Sequence, residues 1–148
     1  MGSLRLKNIS KSFGDIRALS GIDLHVREGE FCVLLGPSGC GKSTLLRAIN
    51  RMHDLYPNIE IKGKILLNNK DTSDMSTIML RQKIGMVFQR PNPFPTMSIF
   101  DNVLAGYKLN GIRLKKNEKQ EIVEKSLSDV ALWDEVKDSL TKRGTFLS

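Results

Sequence analysis

Leu4 and Leu6 alternate with charged or polar positions, and Ile22, Leu24 and Val26 alternate with Asp23, His25 and Arg27. A period of two predicts half-exposed strands of an antiparallel sheet. Phe31–Leu35 differs: a continuous apolar run that ends at Gly36 predicts a parallel strand buried on both faces. From about Lys42 to Met52 the period becomes helical, with Leu45, Ile49 and Met52 on one face. Lys64–Leu67 predicts a further strand closed by an Asn68-Asn69 turn, Ser76–Gln82 a helix, and Ile84–Phe88 a short strand. Pro91-Asn92-Pro93-Phe94-Pro95 can be neither helix nor central strand and predicts a stiff, extended loop.

Beyond that loop the pattern is helical. Ser98 with Asp101 is a capping signal, and Gly111 stops the segment after Leu109. Asn117 with Gln120 opens a second helix carrying Ile122, Val123, Leu127 and Val130, and Ala131–Leu140 predicts a third. The chain therefore divides into a mixed α/β core to about residue 88 and a helical region from about residue 98, with the Pro-rich loop as the hinge.

A chain of 148 residues, 40% hydrophobic and 26% charged, is a soluble globular domain able to bury a core. No segment has the length to span a bilayer. The N-terminus lacks the apolar stretch of a secretory signal, and Leu6 stands where a myristoylation site needs Ser or Thr. The expected compartment is the cytosol. Cys32 and Cys40 match no metal spacing and are expected as free thiols. The net charge of +7 raises a nucleic-acid reading. Its densest group, Arg113, Lys115, Lys116 and Lys119, is interleaved with Glu118, Glu121 and Glu124 at helical spacing, which describes a solvated helix face. No nucleic-acid partner is expected.

Gly36-Pro37-Ser38-Gly39-Cys40-Gly41-Lys42-Ser43 matches G-x-x-x-x-G-K-[ST], the phosphate-binding P-loop, in the strand–loop–helix order the motif requires. Gly36, Gly39 and Gly41 allow positive φ and close backbone approach to phosphates. Lys42 can reach the β- and γ-phosphates of a nucleotide, through charge-assisted hydrogen bonds worth about 1.5–3 kcal/mol each. Ser43 offers a hydroxyl to Mg²⁺, and Thr44 can bond phosphate from the first helical turn. Ser38 and the Cys40 side chain have no required role. Asn69-Lys70-Asp71-Thr72 places its Asp one position early for the guanine motif N-K-x-D, which excludes a GTPase. Ile65-Leu66-Leu67 runs into Asn68 rather than Asp, so the second magnesium carboxylate and a base for the attacking water are missing from these residues.

Gly36–Arg47 with Asn50-Arg51-Met52 resembles the ATPase subunits of ABC transporters. Gly85–Pro95, Ser98–Val103 and Leu132–Asp138 make the chain similar, within that family, to the ATP-binding subunits of phosphate importers. The resemblance covers essentially the whole chain. It implies an α/β fold: a P-loop NTPase core with an antiparallel β subdomain and a helical subdomain, incomplete at the C-terminus. Residues 1–88 would be the nucleotide-binding core, 89–97 the Q-loop and hinge, and 98–148 the start of the helical subdomain.

The resemblance implies that Gly36, Pro37, Ser38, Gly39, Cys40, Gly41, Lys42, Ser43 and Thr44 hold ATP. Lys42 and Gln89 would serve the chemistry, Ser43 and Gln89 Mg²⁺, and Phe13 would stack on adenine. Phe94, Phe100 and Tyr107 fall where such subunits receive a coupling helix of the membrane partner, or equally in local core. Trp133 reads as core, and His25 and His53 as surface residues. In the family Leu-Ser opens the Leu-Ser-Gly-Gly-Gln signature, and here Leu147-Ser148 is where the sequence stops. The signature, the catalytic Glu and the switch His are absent. The expectation is a fragment that binds ATP-Mg²⁺ without steady-state turnover. The complete subunit would be a phosphate-transporting ATPase, a homodimer peripheral to the cytoplasmic face of the membrane. It would drive transmembrane permease subunits served indirectly by an external phosphate-binding protein. Two alternatives stay open: another importer cargo (amino acid, phosphonate or metal), and a short nucleotide-binding protein that does not hydrolyse.

Overall fold

The computed structural model describes residues 2–55 and 59–147; Ser148, half of the Leu147-Ser148 pair, lies outside them. The chain divides into two compact units, Met1–Val87 and Phe88–Ser148.

The first unit is built on an antiparallel sheet. β1 (Leu4–Phe13) and β2 (Ile16–Val26) form a hairpin, and β3 (Ile59–Leu67) pairs with the other edge of β1. A two-residue β4 (Lys70–Asp71) completes the order β2-β1-β3-β4. Asn68 and Asn69, with φ of 51° and 63°, supply the left-handed turn between β3 and β4. In β1 the inward residues are Leu6, Ile9 and Lys11, so the parity changes once. The cause is a bulge. Asn8, at φ 49°, slips the register so that Asn8 and Ile9 together face Gly63 on β3. The alternation seen in the sequence at Leu4 and Leu6 is lost at this point, although the strand continues to Phe13.

Helix α1 (Lys42–Ile49) lays Leu45, Ala48 and Ile49 on Leu6, Ile9, Leu19 and Ile65. It is shorter than the sequence suggests, because Arg51 enters the left-handed region (φ 56°). That turn is fixed by side chains of the same unit. Arg51 donates to the carbonyls of Thr72 (3.0 Å) and Met75 (2.8 Å), and Arg81 of helix α2 (Thr77–Lys83) donates to those of Asn50 and Arg51. Ser76 caps α2 by accepting from the Met79 N–H.

Two predicted strands do not form. Phe31–Leu35 and Ile84–Phe88 are in no strand, and Phe31, Leu35 and Val87 are 91%, 88% and 97% exposed. Leu34 and Ile84 turn onto the core. The apolar character of Phe31–Leu35 is that of a strand buried on both faces, yet among the described residues no strand pairs with either segment, and a segment becomes a strand only when a neighbour satisfies its backbone. Cys32 is accordingly exposed rather than buried, and both cysteines are free thiols.

The second unit is helical: α3 (Ile99–Val103), α4 (Ala105–Leu109), α5 (Lys116–Asp129) and α6 (Trp133–Val136). Ile99, Leu104, Val123, Leu127 and Val136 form its core, with Phe100 and Trp133 packed against it. Ser98 caps α3 as expected, accepting from Asp101 N–H at 3.0 Å. The cap of α5 differs: Glu118, not Gln120, turns back to accept the Lys115 N–H at 2.6 Å, so the helix starts two residues earlier than Asn117 would place it. Val130 is exposed, because α5 ends before it. Residues 137–139 close the predicted third helix as a 3-10 turn.

Ala131 carries the left-handed residue after α5 (φ 58°), with its N–H on Ser128 C=O (2.9 Å) and the Leu132 N–H on Leu127 C=O (2.8 Å). Only glycine adopts that conformation without steric cost. Ala131→Gly is therefore expected to stabilise the protein by about 1 kcal/mol, read as a rise in melting temperature. A fall would mean that alanine's lower unfolded-state entropy outweighs the strain.

The Pro-rich loop belongs to this unit, where one side chain organises it. The Asn102 amide accepts from Phe94 N–H (2.7 Å) and donates toward the carbonyls of Phe94, Met97 and Ser98 at 2.9–3.2 Å.

Candidate functional site

The chain leaves β2 through a turn in which Glu30 accepts the Arg27 N–H (2.7 Å), then rises through 31–35 to the glycine-rich loop. Gly39 and Gly41 both lie at positive φ, 81° and 96°. Gly41 is constrained further. A Cβ there would meet the Ala18 carbonyl oxygen at 2.8 Å and Leu19 Cδ2 at 3.0 Å, so the loop's last glycine is seated directly on β2. The Leu45 N–H then bonds to Gly41 C=O (2.9 Å) and α1 begins. Gly41 brings no side chain to cap it. The first-turn N–H groups thus have no intrahelical acceptor, and they stand at the positive end of the helix.

Lys42 folds back over the loop. Its ammonium donates to the carbonyls of Gly36 (2.7 Å) and Pro37 (2.6 Å) and lies 3.3 Å from Cys40 Sγ. Ser43 is exposed and Thr44 half-buried on the same first turn, while Pro37, Ser38 and Cys40 form the exposed outer rim. No acidic side chain occurs between Gly36 and Thr44. An ammonium, a set of backbone donors and two hydroxyls, with no carboxylate to repel an anion, is a donor set suited to a polyphosphate. Among the described residues no cluster of His, Cys, Asp and Glu could hold a metal ion by itself. A divalent cation would have to arrive with the phosphates, where the Ser43 hydroxyl is available to it.

Phe13 ends β1 at the Gly14-Asp15 turn and is 41% exposed. It belongs to the sheet on which Gly41 sits. Gln89 is exposed near the start of the second unit. In that unit Phe94 is 44% and Tyr107 37% exposed, whereas Phe100 and Trp133 pack on local core.

One residue departs from its sequence reading. His53 is not a surface residue: its side chain is only 11% exposed, with Nδ1 3.2 Å from the Arg47 carbonyl and Nε2 3.3 Å from Asp54. Burial, foremost, and the nearby Lys11 ammonium hold its pKa below the ordinary histidine value, against the opposing pull of the Arg47 carbonyl and Asp54. The sequence pattern singles out nothing at Lys11, yet Lys11 is 2% exposed and shares the inward side of β1 with Ile9. Its Nζ stands 4.7 Å from the centroid of the Phe13 ring. The only available signal was its i, i+2 spacing to both Ile9 and Phe13.

Comparison with known proteins adds to this geometry. Residues 19–148 match the ABC transporter family. The chain is 48% identical over 145 residues to the phosphate import ATP-binding protein PstB of Tropheryma whipplei, covering 98% of this chain and 56% of that protein. It is 49% identical to the PstB of Corynebacterium glutamicum, covering 100% and 58%, and 45% identical to that of Rubrobacter xylanophilus, covering 98% and 51%. The chain thus spans about half the length of the curated relatives it matches. Among solved structures, a bacterial Atm1-family ABC exporter with ATP bound superposes with a TM-score of 0.78 at 23% identity, over 96% of this chain and 23% of that one. At that identity the likeness shows the fold.

Proposed function

The chain belongs to the ABC transporter family, and from that premise we propose that it is the ATP-binding part of a phosphate importer's ATPase subunit. The observation that carries the ATP reading is the loop itself. Lys42 is held over Gly36 and Pro37 at the uncapped start of α1, so that incoming phosphate oxygens replace two carbonyls as its acceptors. Gly36, Gly39 and Gly41 keep the backbone close, Pro37, Ser38 and Cys40 complete the rim, and Thr44 adds a hydroxyl donor. Phe13 offers a flat apolar face to adenine. Mg²⁺, bound with ATP, would neutralise phosphate charge, with the Ser43 hydroxyl as its contact in the loop. Identity of 45–49% to phosphate import proteins over nearly the whole chain supports phosphate as the cargo.

In this reading the subunit dimerises, sits at the cytoplasmic face of the membrane and drives permease subunits fed by an external phosphate-binding protein. Among the described residues no helix is long and apolar enough to cross a membrane, which fits a subunit that docks onto the span of another chain. The residues 89–97 would link the core to the helical region 98–148. The test is titration of the protein with ATP and GTP, together with phosphate uptake by the assembled transporter. Saturable ATP binding, with uptake of phosphate that Lys42→Ala abolishes, is expected. Absence of ATP binding overturns the site, and uptake of a different solute overturns the cargo.

A further inference from the structure

Lys11 places a charge where burial alone would exclude one. It is 2% exposed on the inward side of β1, paired across the sheet with Leu19 on one side and Ile61 on the other. Among the described residues no carboxylate lies within ion-pair distance, and Arg47 adds a second positive charge nearby. A buried ammonium without an anion is unfavourable for folding. What it does have is the face of Phe13, two residues along the same strand, 4.7 Å from ring centroid to Nζ. Phe13 is itself exposed at the strand's end, its cross-strand partner Ile16 lying just beyond a two-residue turn. A ring so placed would otherwise sample several rotamers.

We propose that Lys11 is a positioning residue for Phe13, fixing the ring through a cation–π contact on one face so that the other is presented to a nucleotide base. The proposal rests on the reading of Phe13 as the adenine platform. Lys11 then acts on recognition of the base and not on the phosphates, since its ammonium is engaged by the ring and the phosphates are held by Lys42 and the loop. It also explains why an unfavourable residue occupies the core: Lys11 serves binding at the expense of stability.

The experiment compares ATP with inorganic tripolyphosphate, which has the phosphates and no base, by calorimetric titration of the protein and its variants. Lys11→Met, close in shape and neutral, is expected to raise the dissociation constant for ATP about 3- to 10-fold, to leave tripolyphosphate unchanged, and not to lower the melting temperature. Lys11→Arg, which keeps a cation over the ring, should retain the wild-type preference for ATP. Should Lys11→Met fail to fold, Lys11→Gln carries the same comparison. Equal weakening of ATP and tripolyphosphate overturns the proposal, because Lys11 would then act through its charge on the phosphates. Phe13→Ala losing the preference for ATP while Lys11→Met keeps it overturns the role of Lys11 and leaves the platform standing. A Phe13→Ala variant that keeps the preference overturns the platform and the proposal with it.

Discussion

Lys42→Ala is expected to raise the dissociation constant for ATP by about 10- to 100-fold, the equivalent of losing roughly one charge-assisted hydrogen bond of 1.5–3 kcal/mol. The ammonium already makes two short contacts, to Gly36 C=O at 2.7 Å and Pro37 C=O at 2.6 Å, so little ordering is needed when phosphate oxygens take their place. Tripolyphosphate should weaken by the same factor, because Lys42 touches no base. Lys42→Arg should fall between the two: the charge is kept, but a planar fork does not fit a seat made for a point donor. Calorimetric titration reads both. An alanine variant that binds ATP within threefold of wild type would sink the phosphate-cradle reading of the loop.

The largest expected effect on stability lies elsewhere, at Gly63. A Cβ there would stand 2.4 Å from the carbonyl oxygens of both Lys7 and Asn8 and 2.7 Å from Asn8 C, all backbone atoms that cannot rotate away. Its φ of 95° is itself unfavourable for any residue with a side chain. About 1–2 kcal/mol of conformational strain and 1–3 kcal/mol of overpacking together put Gly63→Ala at roughly 3 kcal/mol. For a domain under 100 residues that lowers Tm by more than about 10 °C. Gly14→Ala is the control, with a similar left-handed φ of 55° and nothing within 4 Å of its Cβ, and should cost only the conformational part. Equal losses in the two variants would mean that the bulge yields to accommodate the methyl group.

Gly63 and Lys11 show where sequence pattern fails as a guide. The antiparallel strands, the P-loop helix and the Ser98 cap are legible because local periodicity and a capping hydroxyl are properties of neighbours in sequence. The bulge at Asn8 shifts the inward parity of β1 from even to odd residues, so a reader who trusts alternation loses the strand after Leu6 and sends Lys11 to solvent. Glu118 caps α5 through a reach back to Lys115, and Lys115 itself carries no capping side chain to announce it. Phe31–Leu35 fails for the opposite reason. Its apolar run reads as a strand buried on both faces, but composition cannot supply the neighbour that would make it one. The conformation of the glycine-rich loop is more legible than the fold around it, because glycine, lysine and serine at fixed offsets encode their own local geometry. Its support on Ala18 is a contact between residues far apart in sequence and leaves no local trace, whereas the cation behind Phe13 lies two residues away and is hidden by the shift in parity.

The Asn102 amide gives the Pro-rich loop a further property. Pro91, Pro93 and Pro95 carry no amide hydrogen, so isotope exchange across this stretch reports almost nothing, and Asn92 and Phe94 are the only backbone sites within it that can be followed. Phe94 gives its hydrogen to Asn102 Oδ1 at 2.7 Å. The exchange rate of that single amide is therefore a gauge of whether the loop is fastened to α3.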